Sequence, residues 1–161
     1  VGETMALRML IRFDSGGARK RGAAKHKYLI GWTERVVFPE WGIEGLEAKV
    51  DTGAASSALH VEDMKVFKSG RVQFRVVLDN AAPGDGVVVK APVLKWGRVR
   101  SSNGEFTKRC FVPARVMIGP VLQDIELSLV SRDKMAFRML LGREALEQEF
   151  VVDVSRRRIL T

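Results

Sequence analysis

The sequence predicts an all-β domain: short strands closed into a barrel, with one short helix near the C-terminus. Three observations carry that prediction. Short runs rich in Val, Ile, Phe and Thr recur along the chain, clusters of Gly, Pro and Asn separate them, and a clear helix start appears only after Gly142. No segment repeats another, so the chain reads as one domain, residues 28–161, preceded by a tail, residues 1–27. Its 161 residues are enough for a core that needs no disulfide or metal.

The tail is basic and is expected to be flexible. Residues 1–27 carry seven Lys/Arg against Glu3 and Asp14, a net of +5, whereas residues 28–161 hold twenty basic and seventeen acidic residues. More than half of the +8 excess therefore belongs to the tail, and nucleic acid is not an expected partner. From Ser15 to Lys27 the chain is rich in Gly, Ala and cations without an apolar period, as a linker is. Met5 to Phe13 is too short and too charged for a signal segment, and no run approaches the ~20 apolar residues that span a bilayer. A cytoplasmic protein with no membrane partner is expected.

The elements follow in order. Tyr28 to Phe38 is β-branched and aromatic, a strand with a turn or bulge at Gly31. Pro39 to Gly42 is a turn, and Ile43 to Val50 a strand running into Asp51. Ser57 to Phe67 fits a strand or a short helix, and Arg71 to Leu78 alternates as a strand does. Pro83-Gly84-Asp85-Gly86 is a turn, and Val87 to Val93 a strand that Pro92 marks as an edge or an end. Arg98 to Arg100 and Phe106 to Val112 flank Asn103-Gly104, a strong hairpin signal. Ala114 to Ile118 and Gln123 to Leu129 pair around Gly119-Pro120. Arg143 to Glu149 is the helix, Phe150 to Val154 a strand, and Arg158 to Leu160 a final strand.

The chemistry centres on Asp51-Thr52-Gly53. Alone, this is an ordinary β-turn with Asp at its first position. After an apolar strand residue it is also the loop that holds a catalytic carboxylate in aspartic proteases. Leu140-Leu141-Gly142, opening a short helix near the C-terminus, is the element that supports such a loop. Two carboxylates within hydrogen-bond reach cannot both ionise, so they share a proton, one acting as base toward water and the other as acid toward the peptide carbonyl. The chain has a single Asp-Thr-Gly, so a working dyad needs Asp51 from two chains. Gly53 brings a backbone N–H close to the carboxylate, and the Thr52 hydroxyl can link the two loops across a dimer axis.

Three stretches together resemble a bacterial retropepsin-like family often labelled "ATP-dependent zinc protease" and associated with RimK/LysX. They are Lys49 to His60, which includes Asp51, Thr52, Gly53 and Ala54; Val99 to Gly104; and Phe137 to Leu146, followed by Val152-Asp153. The resemblance covers Leu29 to Leu160 and implies a retropepsin-like barrel, aspartic endopeptidase activity and a homodimer. Ala55 departs from it, since many relatives carry a larger or basic residue there. The label itself does not fit the residues. One Cys and two His leave no zinc-ligand set, and Gly17 to Gly22 is followed by Ala23-Ala24 where a phosphate-binding loop needs Lys-Ser/Thr. No metal or cofactor is expected.

Arg98, Arg100, Lys108 and Arg109 flank the Asn103-Gly104 turn. With Arg100 near Arg109, their guanidinium forks can hold carboxylates, so Arg100, Arg109 and Asn103 are the candidate substrate-binding residues. The resemblance implies acidic, Glu-rich peptides, because relatives accompany a ligase that adds glutamates to ribosomal-protein tails. Either this hairpin or Leu78 to Val88 is the flap over the substrate. Trp32, Trp41 and Trp96 are read as core or barrel-end packing, Cys110 as a packed thiol, His60 as a polar strand-end residue, and Asp153 as a strand-end ion pair. The alternative function is a non-enzymatic peptide-binding or adaptor module on the same barrel.

Overall fold

A computed structural model describes residues 10–11, 26–79, 82, 84–100, 103–131 and 136–161. Chain order gives β1 (Leu10–Ile11), β2 (Lys27–Gly31), β3 (Thr33–Phe38), a 3-10 turn (Pro39–Trp41), β4 (Ile43–Val50), β5 (Ser57–Val66), β6 (Arg71–Val76) and β7 (Val87–Pro92). Then follow β8 (Lys95–Arg100), β9 (Phe106–Ile118), β10 (Val121–Val130), β11 (Met139–Leu141), α1 (Arg143–Leu146) and β12 (Phe150–Asp153). The expected all-β class with one short helix is the class observed.

Six strands form a ring in the order β10-β9-β3-β4-β11-β5, which the parallel pairing of β10 with β5 closes. β6 and β7 continue outward from β5, β8 hangs from β9, and β1, β2 and β12 make a separate three-stranded sheet. Alternation positions the core. In β4, Ile43, Leu46, Ala48 and Val50 are buried while Glu44 and Lys49 face solvent, and β9 does the same with Ala114, Val116 and Ile118 against Arg115 and Met117. The core continues to the ring's end, where Phe38 stacks on Trp41 at 4.8 Å and Trp41 meets Phe74 edge-on at 5.7 Å.

Several sequence expectations change. The run from Tyr28 to Phe38 breaks at Trp32, and its halves enter different sheets. Ser57 to Phe67 resolves as the strand β5, and His60, expected at a strand end, lies fully buried within it. Pro113 does not interrupt β9. On one side of it β8 stops at the Lys95↔Phe111 pair and β3 joins only at Met117, so a residue without an N–H is tolerated there. Trp96 is not core but 45% exposed on β8. Asp153 accepts hydrogen bonds from the Ser155 N–H and hydroxyl and, among the described residues, makes no ion pair; these bonds hold its carboxyl below the usual range.

Arg158 to Leu160 is not a strand. Arg158 takes a left-handed φ of 47°, and the N–H groups that a ladder would use go elsewhere. Arg158 N–H donates to the Thr33 carbonyl at 2.8 Å, while Ile159 and Leu160 donate to Oε1 of Glu34 at 2.8 and 3.3 Å. Glu34 is fully buried, and it also accepts from Gly31 N–H at 2.8 Å and the Thr161 hydroxyl at 2.6 Å. One carboxylate thus replaces a strand partner for the C-terminal segment.

Candidate active site

β4 carries Asp51 to the end of the ring and holds it from both sides. Val50 N–H donates to the Trp32 carbonyl and Asp51 N–H to the Leu141 carbonyl, each at 2.9 Å. The chain then turns, with Ala54 N–H to the Asp51 carbonyl at 3.3 Å. The same turn fixes the side chain, because Oδ1 accepts from Gly53 N–H at 3.0 Å and Ala54 N–H at 3.2 Å. A Cβ at Gly53 would stand 3.2 Å from that oxygen, which is why the smallest residue sits there. Asp51 is half-buried and Thr52 and Gly53 are exposed, so the loop presents its carboxylate outward.

The second motif meets the first. β11 lies between β4 and β5, with Leu140↔Lys49 and Leu141↔Val50 parallel on one side and Leu140↔Ala58 antiparallel on the other. Leu141 is fully buried beneath the loop, and Leu140 is half-buried. Gly142 follows at a point of close backbone approach, where an added Cβ would lie 2.5 Å from the carbonyl carbon and oxygen of Ser56 and 2.7 Å from the carbonyl oxygen of Ala55. Arg143 and Glu144 then donate their N–H groups to the Ala54 and Ala55 carbonyls at 2.9 and 3.0 Å.

Sequence reasoning missed two residues of this support. Arg143 Nη1 donates to the carbonyls of Thr52 and Gly53 at 2.9 and 3.0 Å, fastening the loop from outside. The Ser57 hydroxyl accepts from Gly142 N–H at 3.1 Å, and Ser128 donates to the Ser57 carbonyl at 3.0 Å. A cation directly after Leu-Leu-Gly was a legible signal for the first. Nothing in the pattern marks Ser57.

A cavity of about 830 Å³ opens over Asp51. Gly53, Ala54 and Leu140 line its floor side, and the β8–β9 hairpin lines the other through Gly97, Val99, Arg100 and Arg109. Among the described residues none from Leu78 to Val88 borders it. Arg100 and Arg109 are not cross-strand partners: Arg100 faces Phe106, and Arg109 faces Gly97. By the pleat their side chains leave opposite faces of the hairpin, and the Arg100 guanidinium lies 5.9 Å from the Phe106 ring. Asn103 lies exposed near the hairpin tip, its amide 3.4 Å from Glu105, and does not line the cavity. Beside Arg109, Lys95 pairs with Glu126 and sits 5.2 Å from the Phe111 ring centre. Burial raises the Cys110 thiol, in keeping with a packed side chain. Among the described residues no three of His, Cys, Asp and Glu converge as metal ligands would, and no helix is long and apolar enough to cross a membrane.

Comparison with known proteins agrees with this geometry. The chain is 33% identical over 133 residues to a probable alpha-L-glutamate ligase of Shewanella halifaxensis, covering 81% of this chain and 29% of the relative. It is 35% identical over 130 residues to one of Desulfotalea psychrophila, covering 79% and 28%. The chain thus spans under a third of these curated relatives. A Legionella pneumophila protein of unknown function shares the fold, with a TM-score of 0.67 at 24% identity over 83% of this chain and 98% of that one. The model of the RimB-like family, described as retropepsin-like aspartic endopeptidase RimB, matches residues 29–161. The fold, the Asp51 loop with its Leu141-Gly142 support, and this match lead to one statement: the chain belongs to the RimB-like family of retropepsin-like aspartic endopeptidases.

Proposed function

We propose that the protein is an aspartic endopeptidase that acts as a homodimer, with Asp51 of each chain forming the catalytic dyad. The observation that supports it is the Asp51 carboxylate, fixed through Oδ1 by two backbone N–H groups on an exposed loop at the cavity. In the dyad one carboxylate is ionised and the other protonated. The ionised group takes a proton from water, whose oxygen attacks the peptide carbonyl carbon, and the other gives its proton to the carbonyl oxygen. Collapse of the tetrahedral intermediate breaks the C–N bond, with a proton delivered to the leaving amine. The roles belong to the pair rather than to one copy.

The substrate in this reading is an acidic, Glu-rich peptide, and the β8–β9 hairpin is the flap that closes on it. Four cations, Lys95, Arg98, Arg100 and Arg109, line the cavity against Asp51, Glu126 and Glu144. The relatives named as probable glutamate ligases point the same way. Peptidase assays across a dilution series test the proposal. Activity per chain should rise with concentration until dimers saturate, and Asp51→Asn should abolish it. Constant specific activity where sizing finds only monomer would refute the shared dyad. Stoichiometric peptide binding without turnover would leave a binding module.

A further inference from the structure

The β8–β9 hairpin has two faces, and the cavity is bordered by Gly97, Val99 and Arg109 from one and by Arg98 and Arg100 from the other. Lys95, Gly97, Arg109 and Phe111 belong to the inner face: Lys95 lies over the Phe111 ring, and a Cβ at Gly97 would touch that ring at 2.8 Å. The pleat sends Trp96, Arg98, Arg100, Phe106 and Lys108 to the other side. There the two aromatics are 45% and 57% exposed, large for rings on a sheet surface.

The cations on this outer face are placed against the grain of sheet stability. Arg98 and Lys108 are direct cross-strand partners, and like charges opposite one another destabilise a hairpin. Among the described residues neither has an ion-pair partner. Each lies against a ring instead, Arg98 at 5.0 Å from Phe106 and Lys108 at 5.3 Å from Trp96. The result is a row of ring, paired cations and ring, with Arg100 opposite the second ring. By register its two aromatic ends stand about 13 Å apart along the strands.

The geometry points to a docking surface for single-stranded nucleic acid on the outer face of this hairpin, built from Trp96, Arg98, Phe106 and Lys108. Unpaired cations match phosphates, and exposed rings beside them match bases, whose π-faces stack without regard to sequence. An acidic peptide satisfies the charges but offers nothing to the two rings. The expectation against nucleic acid weighed whole-chain charge, which the tail dominates; this face is a local arrangement that a net count does not register. Arg98 also borders the cavity, but Trp96, Phe106 and Lys108 do not, so three of the four residues stand apart from the Asp51 site.

The test uses the full chain and a labelled single-stranded RNA of mixed sequence, read by fluorescence anisotropy. Binding should weaken with salt, and Arg98→Gln with Lys108→Gln should flatten the slope of log K against log salt by roughly two. Trp96→Ala and Phe106→Ala, which leave charge unchanged, should each weaken binding roughly tenfold. Thermal melts confirm that these exposed-site variants fold, and Asp51→Asn should bind RNA like the parent. RNA binding unchanged by every one of the four substitutions would assign it to the basic tail and overturn the proposal. Sensitivity to the charge changes alone, with an oligoglutamate competing equally, would show a general anion face and overturn it too.

Discussion

Gly142→Ala tests the coupling between the two motifs most directly. The backbone at Gly142 has φ −82° and ψ 172°, which alanine adopts freely, so conformational strain is not the issue. Space is. The new Cβ would lie 2.5 Å from the Ser56 carbonyl carbon and oxygen and 2.7 Å from the Ala55 oxygen, and all three atoms are main chain. None can rotate away, so α1 and the Asp51 loop must separate. Overpacking of this kind costs about 1–3 kcal/mol. Separation also strains the Arg143 and Glu144 N–H bonds to the Ala54 and Ala55 carbonyls, worth about 1 kcal/mol each. The expected loss is about 3–5 kcal/mol, or roughly 6–20 °C in Tm for a domain of this size. The control is Gly42→Ala, where φ is +67° and nothing lies within 4 Å of the new Cβ, so only left-handed strain of about 1–2 kcal/mol applies. Urea unfolding of both variants beside the parent gives the comparison. If Gly142→Ala loses no more stability than Gly42→Ala, the close approach does not hold the loop, and the reasoning is wrong.

Further outcomes follow from other contacts. Leu141→Asp places an unpaired carboxylate at a fully buried position and should prevent folding; soluble protein with a parental circular dichroism spectrum would show the segment to be dispensable. Replacing Arg100 and Arg109 together with Gln should lower kcat/KM for Glu-rich peptides more than for neutral ones at one fixed salt concentration; equal losses would remove the specificity argument. Acid should destabilise the fold through three carboxylates. Partial burial pushes Glu47 up, but hydrogen bonds from Arg158 and Arg157 outweigh it and leave it lowered. Arg115 lowers Asp124, and Ser155 lowers Asp153. Depressed carboxyls stabilise the fold above their unfolded pKa and lose that contribution as pH falls through the folded one. Unfolding free energy should therefore hold near neutrality and decline below about pH 4; a flat profile from pH 6 to pH 3 would contradict it.

Local pattern made much of the architecture legible. Ile43 to Val50 has the bounds expected of it, because alternation and a following turn fix a strand that is buried on one face. The hairpins at Gly119-Pro120 and Asn103-Gly104 followed from turn chemistry. Asp51 and Leu140-Leu141-Gly142 were legible as a pair because each has a recognisable local form. What stayed hidden depends on partners distant in sequence. Arg158 to Leu160 looks like a strand until Glu34, over a hundred residues earlier, takes its N–H groups. Ser57 has no local signature, since its role exists only once Gly142 and Ser128 arrive. Arg100 and Arg109 looked like a clamp because both flank one turn, and only the observed register shows that the pleat sends them to opposite faces.

The parallel pairings have a consequence in time. Asp51 N–H is satisfied by Leu141, and β4 meets β11 only through partners about ninety residues downstream, Ala48 with Met139 and Val50 with Leu141. The ring closes through Ser57 with Leu127, and β2 finds β12 only when Phe150 reaches Tyr28. Each pairing closes a long loop before any contact rewards it, which places the domain among slow folders. On a ribosome, Asp51 emerges early, but its loop has no floor until nearly all of the domain has been made. The Asp51 loop therefore gains its backbone support only in a chain already synthesised through Arg143.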